Sequence, residues 1–254
     1  MLNSDNLSRR EFSKATIGSF LTYSMIETLC QCDAFADDVK PITTKWLASL
    51  NELGNDVKDQ RLSQVAWQQK TEELFKRIDL AELLGLVDFE RLTKNLKFVD
   101  NGARSLRFKF PEVEGLPKGY VFGKQVFALK KGRSVVPHGH NNMATAFLVL
   151  KGDLHGRHYD RLEDRQDKIL IRPTIDRKFS PGECSSVSDY KDNIHWFKAL
   201  TEPAFIFNIH VLNVRPGSAR PTGRVYVDPN GKKVSGGFVL ANRISYKQAH
   251  KMYG

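Results

Sequence analysis

The sequence predicts a mainly β fold, a jelly roll or small barrel of many short strands, preceded by an α-helical segment. Two observations carry this. After Asn101-Gly102 the chain becomes a series of short β-rich runs, "SLRFKFP", "YVFGKQVFALKKG", "ATAFLVLKGDLHGRHYD", "KILIRP", "HWFKALTEPAFIFNIHVLN" and "GRVYVD". Gly, Pro, Asn and Asp separate them, the punctuation of sandwiches and barrels. Before that point, from residue 43 to about 96, apolar residues return at helical spacing instead.

Taken in order, the first element is a leader. Ser8-Arg9-Arg10-Glu11-Phe12-Ser13-Lys14 resembles the twin-arginine export motif. A mildly apolar stretch over residues 15–29, interrupted by Glu27, and the small-residue site Ala34-Phe35-Ala36 follow. That order predicts a signal peptide over residues 1–36, carried by the twin-arginine translocase and cleaved after Ala36, with a periplasmic or secreted mature chain. The apolar stretch is too short and too polar for a comfortable span, so no stable membrane segment is expected in the mature form.

Residues 37–100 form the helical segment. Trp46, Leu47, Leu50 and Leu53 mark one apolar face, and Val65, Trp67, Leu74, Phe75 and Ile78 a second. "DLAELLGLVDFERL" continues the pattern, with Asp79 as N-cap and Gly85 as a break. Such a segment is expected to lie as a layer on the main domain. Residues 101–254 hold the β-domain. Within them "VDPNGKKVSGG" at 227–237 reads as a turn-rich connecting loop, and "NRISYKQAHKMYG" as a short terminal helix starting near Ser245.

Charge and cysteine usage bound the function. Loss of the leader leaves 36 Lys/Arg against 25 Asp/Glu, and Cys184 as the sole cysteine, so no intramolecular disulfide can form. The basic balance suits anionic partners or envelope surfaces. Its charges are interspersed, as in "YDRLEDRQDKILIRP", with no nucleic-acid motif beside them, so nucleic acid is not an expected partner.

The stretch "PHGHNNMATAFLVLKG" carries the chemistry. His138 and His140 are two apart, so in a strand both imidazoles point to one face. Two converging imidazoles make half of a metal site. The spacing resembles the first motif of the cupin superfamily, a double-stranded β-helix or jelly-roll barrel: His-x-His, then a position usually held by Glu, then Gly. Here Gly152 matches and Thr145 stands at the Glu position. That departure is similar to thiol dioxygenases, which hold iron with three histidines. His195, in "HWFKALT", is similar to the third ligand of cysteamine dioxygenase and the plant cysteine oxidases, and Met143 in "GHNNM" and Tyr159-Asp160 resemble the same branch. Kinship to cysteine dioxygenase is weaker: its Ser-His-Tyr triad would fall at Asn208, His210 and Leu212, without the tyrosine, and no arginine is evidently placed to hold a carboxylate. The resemblance spans residues 104–227.

It implies a metal site of His138, His140 and His195, with ferrous iron as the expected ion. Imidazole ligation leaves nickel, manganese, copper and zinc open. Three neutral imidazoles leave a divalent ion its full charge, and a thiol bound to it ionises readily. The implied activity is oxidation of a small thiol by O2 to a sulfinate. A cupin metalloenzyme acting on a non-thiol substrate, and a non-enzymatic protein that binds small ligands, remain open alternatives.

Of the other polar residues, His210 is read as a neighbour that orients a ligand or as a satisfied interior histidine. Tyr159 and Asn208, with Thr145 and Met143, are candidates for the substrate wall. His155 and His158, an odd number apart, should face opposite sides. His250 is expected to be solvated on the terminal helix, and Cys184 either approaches the site or is inert.

Overall fold

Helix α1 (Lys40–Lys58) opens the computed structural model, which describes residues 40–112 and 114–254; the expected leader and its cleavage site lie outside the described residues. Helix α2 (Gln64–Arg77) is capped by Ser63, whose side chain accepts from Ala66 N. Helix α3 (Leu80–Leu86) is capped by Asp79, which accepts from Ala81 N at 2.8 Å and Glu82 N at 3.0 Å. These oxygens satisfy amides that have no partner inside the helix. The helical pattern of this stretch breaks just past Gly85, as expected, α3 ending at Leu86, where a glycine weakens a helix by about 1 kcal/mol. Helix α4 (Phe89–Thr93) follows.

The β-domain has eleven strands among the described residues. These are β1 (Arg104–Leu106), β2 (Gly123–Leu129), β3 (Ser134–Asn141), β4 (Met143–Lys151), β5 (Leu154–Asp164), β6 (Lys168–Phe179), β7 (Cys184–Val187), β8 (Ile194–Ala199), β9 (Ala204–Leu212), β10 (Gly223–Val234) and β11 (Phe238–Ile244). One sheet has the order β1-β2-β9-β4-β7, and the other closes on itself as β10-β11-β6-β5-β8-β3. The mainly β fold with an N-terminal helical segment is therefore the one the sequence predicts.

Three boundaries differ from expectation. "SLRFKFP" contributes only β1. "KILIRP" extends into β6, whose Pro173 pairs beside a register shift at His158/Tyr159, where a proline costs the ladder least. The loop expected over 227–237 is mostly strand: β10 continues to Val234, and a register shift between Asp228 and Lys232 accommodates Pro229-Asn230-Gly231. Helix α5 (Tyr246–Tyr253) closes the chain, its N-terminus fixed by a reciprocal Ser245–Gln248 capping box.

The long apolar run of β4 is explained by burial on both faces. Ala144, Ala146, Leu148 and Leu150 face outward into a core shared with Trp46, Leu47, Leu50, Trp67 and Phe75 of the helices. Phe147 and Val149 face inward, toward Leu129, Leu154, Phe179 and Phe197. Strand β9 alternates likewise, with Phe205, Phe207 and Ile209 outward and Ile206 inward. The helical segment thus covers the second face of a sheet too apolar to meet water.

Phe75 sits at the centre of this layer, 5.8 Å from the Trp46 ring and 5.9 Å from Phe207. Phe75→Ala is expected to cost about 3–5 kcal/mol through lost transfer energy and the residual cavity. Urea unfolding checks it, as a lower midpoint at unchanged slope.

Candidate metal centre

Strand register assembles the site. His138 on β3 pairs directly with His195 on β8, which pairs on its other side with His158 on β5. On the opposite edge of β3, His138 faces Tyr226 and His140 faces Arg224, both on β10. Directly paired residues project to the same face of a sheet. Four neighbouring strands therefore send His158, His195, His138 and Tyr226 into one row, with His140 and Arg224 beside it. Gly139 permits this packing: a Cβ there would lie 2.5 Å from Asn193 Oδ1 and 2.9 Å from Ile194.

His138, His140 and His195 each offer a nitrogen within 4.8 Å of the others. Their ring centroids are 4.3 Å (His138–His195), 5.0 Å (His140–His195) and 5.1 Å (His138–His140) apart. All three are buried. His138 Nδ1 donates to Val136 O at 2.7 Å, which leaves its Nε2 lone pair free. His140 Nδ1 lies 3.1 Å from Thr145 Oγ1, and its buried Nε2 has no protein partner. Burial pushes His138 down to about 4 and holds His140 and His195 well below the ordinary histidine value, His138 adding to the effect on both. Neutral imidazoles with free lone pairs are the form that binds a metal.

The turn before β8 braces these ligands. Asn193 Nδ2 donates to His140 O (2.9 Å) and Ser188 O (2.8 Å). Asp189 accepts from Asn142 N at 2.8 Å. Helix α2 grips the same turn through residues four apart: Gln68 bonds Ser186 O and the Ser188 hydroxyl, and Gln64 bonds Asp189 twice. The helical layer thereby also covers the free edge of β7.

The three histidines open into a cavity of about 250 Å³. Met143, Thr145, Asn208 and His210 line it. Asn208 is held by Gln125 Nε2, which donates to its Oδ1 at 3.1 Å. His210 faces in from the opposite sheet, where Gly123 leaves it room, and makes no hydrogen bond to the three histidines; it is a wall residue rather than an orienting one.

Tyr159 corrects the reading. It pairs with Ile194, on the face away from the histidines, and packs with Ile169, Ile171 and Val227. Because side chains alternate, His158 takes the cavity side and Tyr159 cannot. His155 is partly exposed and paired with Asp176, whereas His158 is buried, as their odd spacing predicts. Cys184 is buried against Glu72 of α2, and burial pushes its thiol up to about 11, so it is an inert core residue. His250 is not simply solvated: it lines the cavity mouth with Tyr246. Arg224, Tyr226 and Gln125 are lining residues that the sequence did not reveal. Their only signal was alternation in "GRVYVD" and "GKQVFAL", which does not say which strand lies opposite.

Thr145 has a physical role in the structure, since its hydroxyl orients His140. Thr145→Val keeps the shape and removes that bond. Metal affinity is expected to fall by roughly ten- to hundredfold, the usual effect of losing such a partner, as measured by competition with a chelator.

No family model and no curated protein matches the chain. Solved structures that resemble it do so over part of its length. An oxalate oxidase is 15% identical, with a TM-score of 0.36 over 53% of this chain and 61% of its own. A double-stranded β-helix protein from Klebsiella pneumoniae is 12% identical, with a TM-score of 0.33 over 52% and 85%. For procruciferin, an 11S globulin from Brassica napus, identity is 11% and the TM-score 0.30; the match covers 41% of this chain and only 22% of the globulin.

Proposed function

We propose that this chain is a cupin metalloenzyme, a non-haem iron dioxygenase that oxidises a small thiol to its sulfinate. The observation that supports it is the buried, neutral cluster of His138, His140 and His195 with Thr145 at the place of the usual carboxylate. The donor set fits a divalent ion, because the buried His140 Nε2 has no other partner and Val136 O holds His138 in the matching tautomer. When bound, the ion would acidify a coordinated thiol and provide open positions for thiol and O2.

The chain's own residues supply placement. His138, His140 and His195 hold the centre, while Val136 O and Thr145 fix two of the rings. Phe127, Met143 and Phe147 form an apolar wall that limits water around the sulfur. The overall conversion is RSH + O2 → RSO2H: both oxygen atoms add to sulfur, so no external reductant is needed. The paired arginines at 9–10 and the small-residue site at 34–36 support a periplasmic mature protein.

The test uses the full chain, purified anaerobically and loaded with ferrous iron. It is challenged with 3-mercaptopropionate, cysteamine, cysteine and a peptide with N-terminal cysteine, with oxygen uptake and sulfinate measured together. One sulfinate per O2 supports the proposal. Iron bound without oxygen uptake moves the site to another cupin reaction, and no metal bound ends the enzyme reading.

A further inference from the structure

We infer that His158 is the positioning residue of the third ligand: it takes the hydrogen bond of His195 Nδ1, directly or through one shared water, and so holds His195 Nε2 toward the metal. This rests on the three-histidine site and deepens that reading of it. A metal-bound imidazole gives one nitrogen to the ion, and its other N–H goes to a nearby acceptor that fixes tautomer and orientation. Two of the three ligands have that partner: His138 Nδ1 donates to Val136 O, and His140 Nδ1 lies beside the Thr145 hydroxyl. His195 Nδ1 is buried with no hydrogen-bond partner among the described residues. The cavity reaches its ring, and Nδ1 is the sealed nitrogen, so Nε2 is the one turned to the other two histidines.

On the side away from His138, His195 pairs directly with His158, and directly paired residues share a face. The two ring centres are 6.3 Å apart, with the rings at 68° to each other. That gap is closed by a rotation of one ring or spanned by one water. His158 is fully buried, its Nε2 lies 3.4 Å from Ser185 Oγ, and its Nδ1 also has no partner among the described residues. A neutral imidazole carries one donor and one acceptor. With Nε2–H toward Ser185, the free nitrogen of His158 is an acceptor. With Nε2 given to the metal, the free nitrogen of His195 is a donor. Buried polar atoms in folded proteins are nearly always paired, and these two are complementary neighbours.

The rings packed around the pair are apolar. Phe179 stacks on His158 with centres 6.3 Å apart, Phe197 meets it edge-on at 5.5 Å, and Phe147 lies 4.8 Å from His195. These side chains pin both imidazoles and offer neither a donor nor an acceptor. Gly156 makes the arrangement possible, since a Cβ there would lie 2.4 Å from Phe179. The result is a line Ser185–His158–His195 that runs from β7 in one sheet to β5 and β8 in the other and ends at the metal. Val136 O, Thr145 and His158 then each serve one ligand.

Cobalt(II) loading of the full chain and two substitutions test the inference. His158→Leu keeps the bulk and removes the acceptor, while His158→Asn returns an amide oxygen close to the place of Nδ1. Competition with a chelator should show cobalt affinity lowered roughly ten- to hundredfold in H158L, the usual effect of losing such a partner. H158N should recover part of it. Proton NMR of the cobalt-loaded wild type should show a shifted imidazole N–H of His195 that exchanges slowly with deuterium. That signal should vanish in H158L while the one from His138 remains. Affinity and signals unchanged in H158L, or equal losses in both variants with the His195 signal still protected, overturn the inference. Nitrogen NMR of the metal-free wild type needs no variant: His195 should be the Nδ1–H tautomer, and the Nε2–H tautomer overturns the pairing. If no cobalt binds but the Nδ1–H tautomer is present and H158L loses it, the metal site fails and the pairing stands. If cobalt binds and neither tautomer nor N–H signal depends on His158, the pairing falls and the metal site stands.

Discussion

His195→Ala is expected to abolish stoichiometric metal binding and, with it, all thiol-dependent oxygen uptake. His195 is the ligand that joins the two others across strands: its ring is 4.3 Å from His138 and 5.0 Å from His140. Two imidazoles from one strand remain, and a bound ion loses a ligand that no described carboxylate replaces. The loss of affinity should exceed the roughly ten- to hundredfold that follows removal of an orienting neighbour. Calorimetric titration with cobalt(II) and metal content after dialysis check this. Near-ultraviolet circular dichroism should show the core intact in the variant. His210→Ala serves as the contrast, since His210 lines the cavity outside the cluster; it should retain one metal per chain. If both variants lose metal alike, the three-histidine assignment fails.

The metal-free protein is expected to lose stability steeply below pH 6.5. Burial is the main cause that holds His138 down at about 4 and His158 at about 3, with His140 and His195 also well below the ordinary value. Unfolded histidines take up protons as the pH falls through about 6.5. Between that pH and the folded values the unfolded chain binds more protons, so stability falls as pH falls. The full contribution is present above 6.5. Each histidine held uncharged in the fold adds to the proton excess of the unfolded chain in this window, so each steepens the loss. Thermal melts of the chelator-treated protein from pH 7.5 to 4.5 should show Tm collapsing across the lower half of that range. His158→Leu should flatten the slope by one proton. A Tm unchanged from pH 6.5 to 5 would contradict the burial of uncharged imidazoles.

Much of the site was legible because its signals are short. The His138-Gly139-His140 spacing needs only a strand to make two imidazoles converge, and the "HWFKALT" segment brought in His195. Thr145 was visible as the residue at a carboxylate's place, though not as the hydroxyl beside His140 Nδ1. The helical segment was legible as a layer from its apolar spacing. Its polar stripe, Gln64, Gln68 and Glu72, was not, because four-residue spacing of glutamines looks like any solvated face until β7 is laid against it.

The sequence by itself determined the mainly β class, the helical preface, the cap at Asp79, a terminal helix starting near Ser245 and the convergence of His138 and His140. Each depends on chemistry acting within a few residues. Only the tertiary structure decided which residues share the cavity with them. Whether Tyr159 or His158 faces inward, and whether Arg224 or Val225 stands beside His140, turns on the register of strands far apart in the chain. A shift of one residue sends every side chain to the other face. Burial against partners elsewhere in the sequence selects that register, so no local pattern could state it.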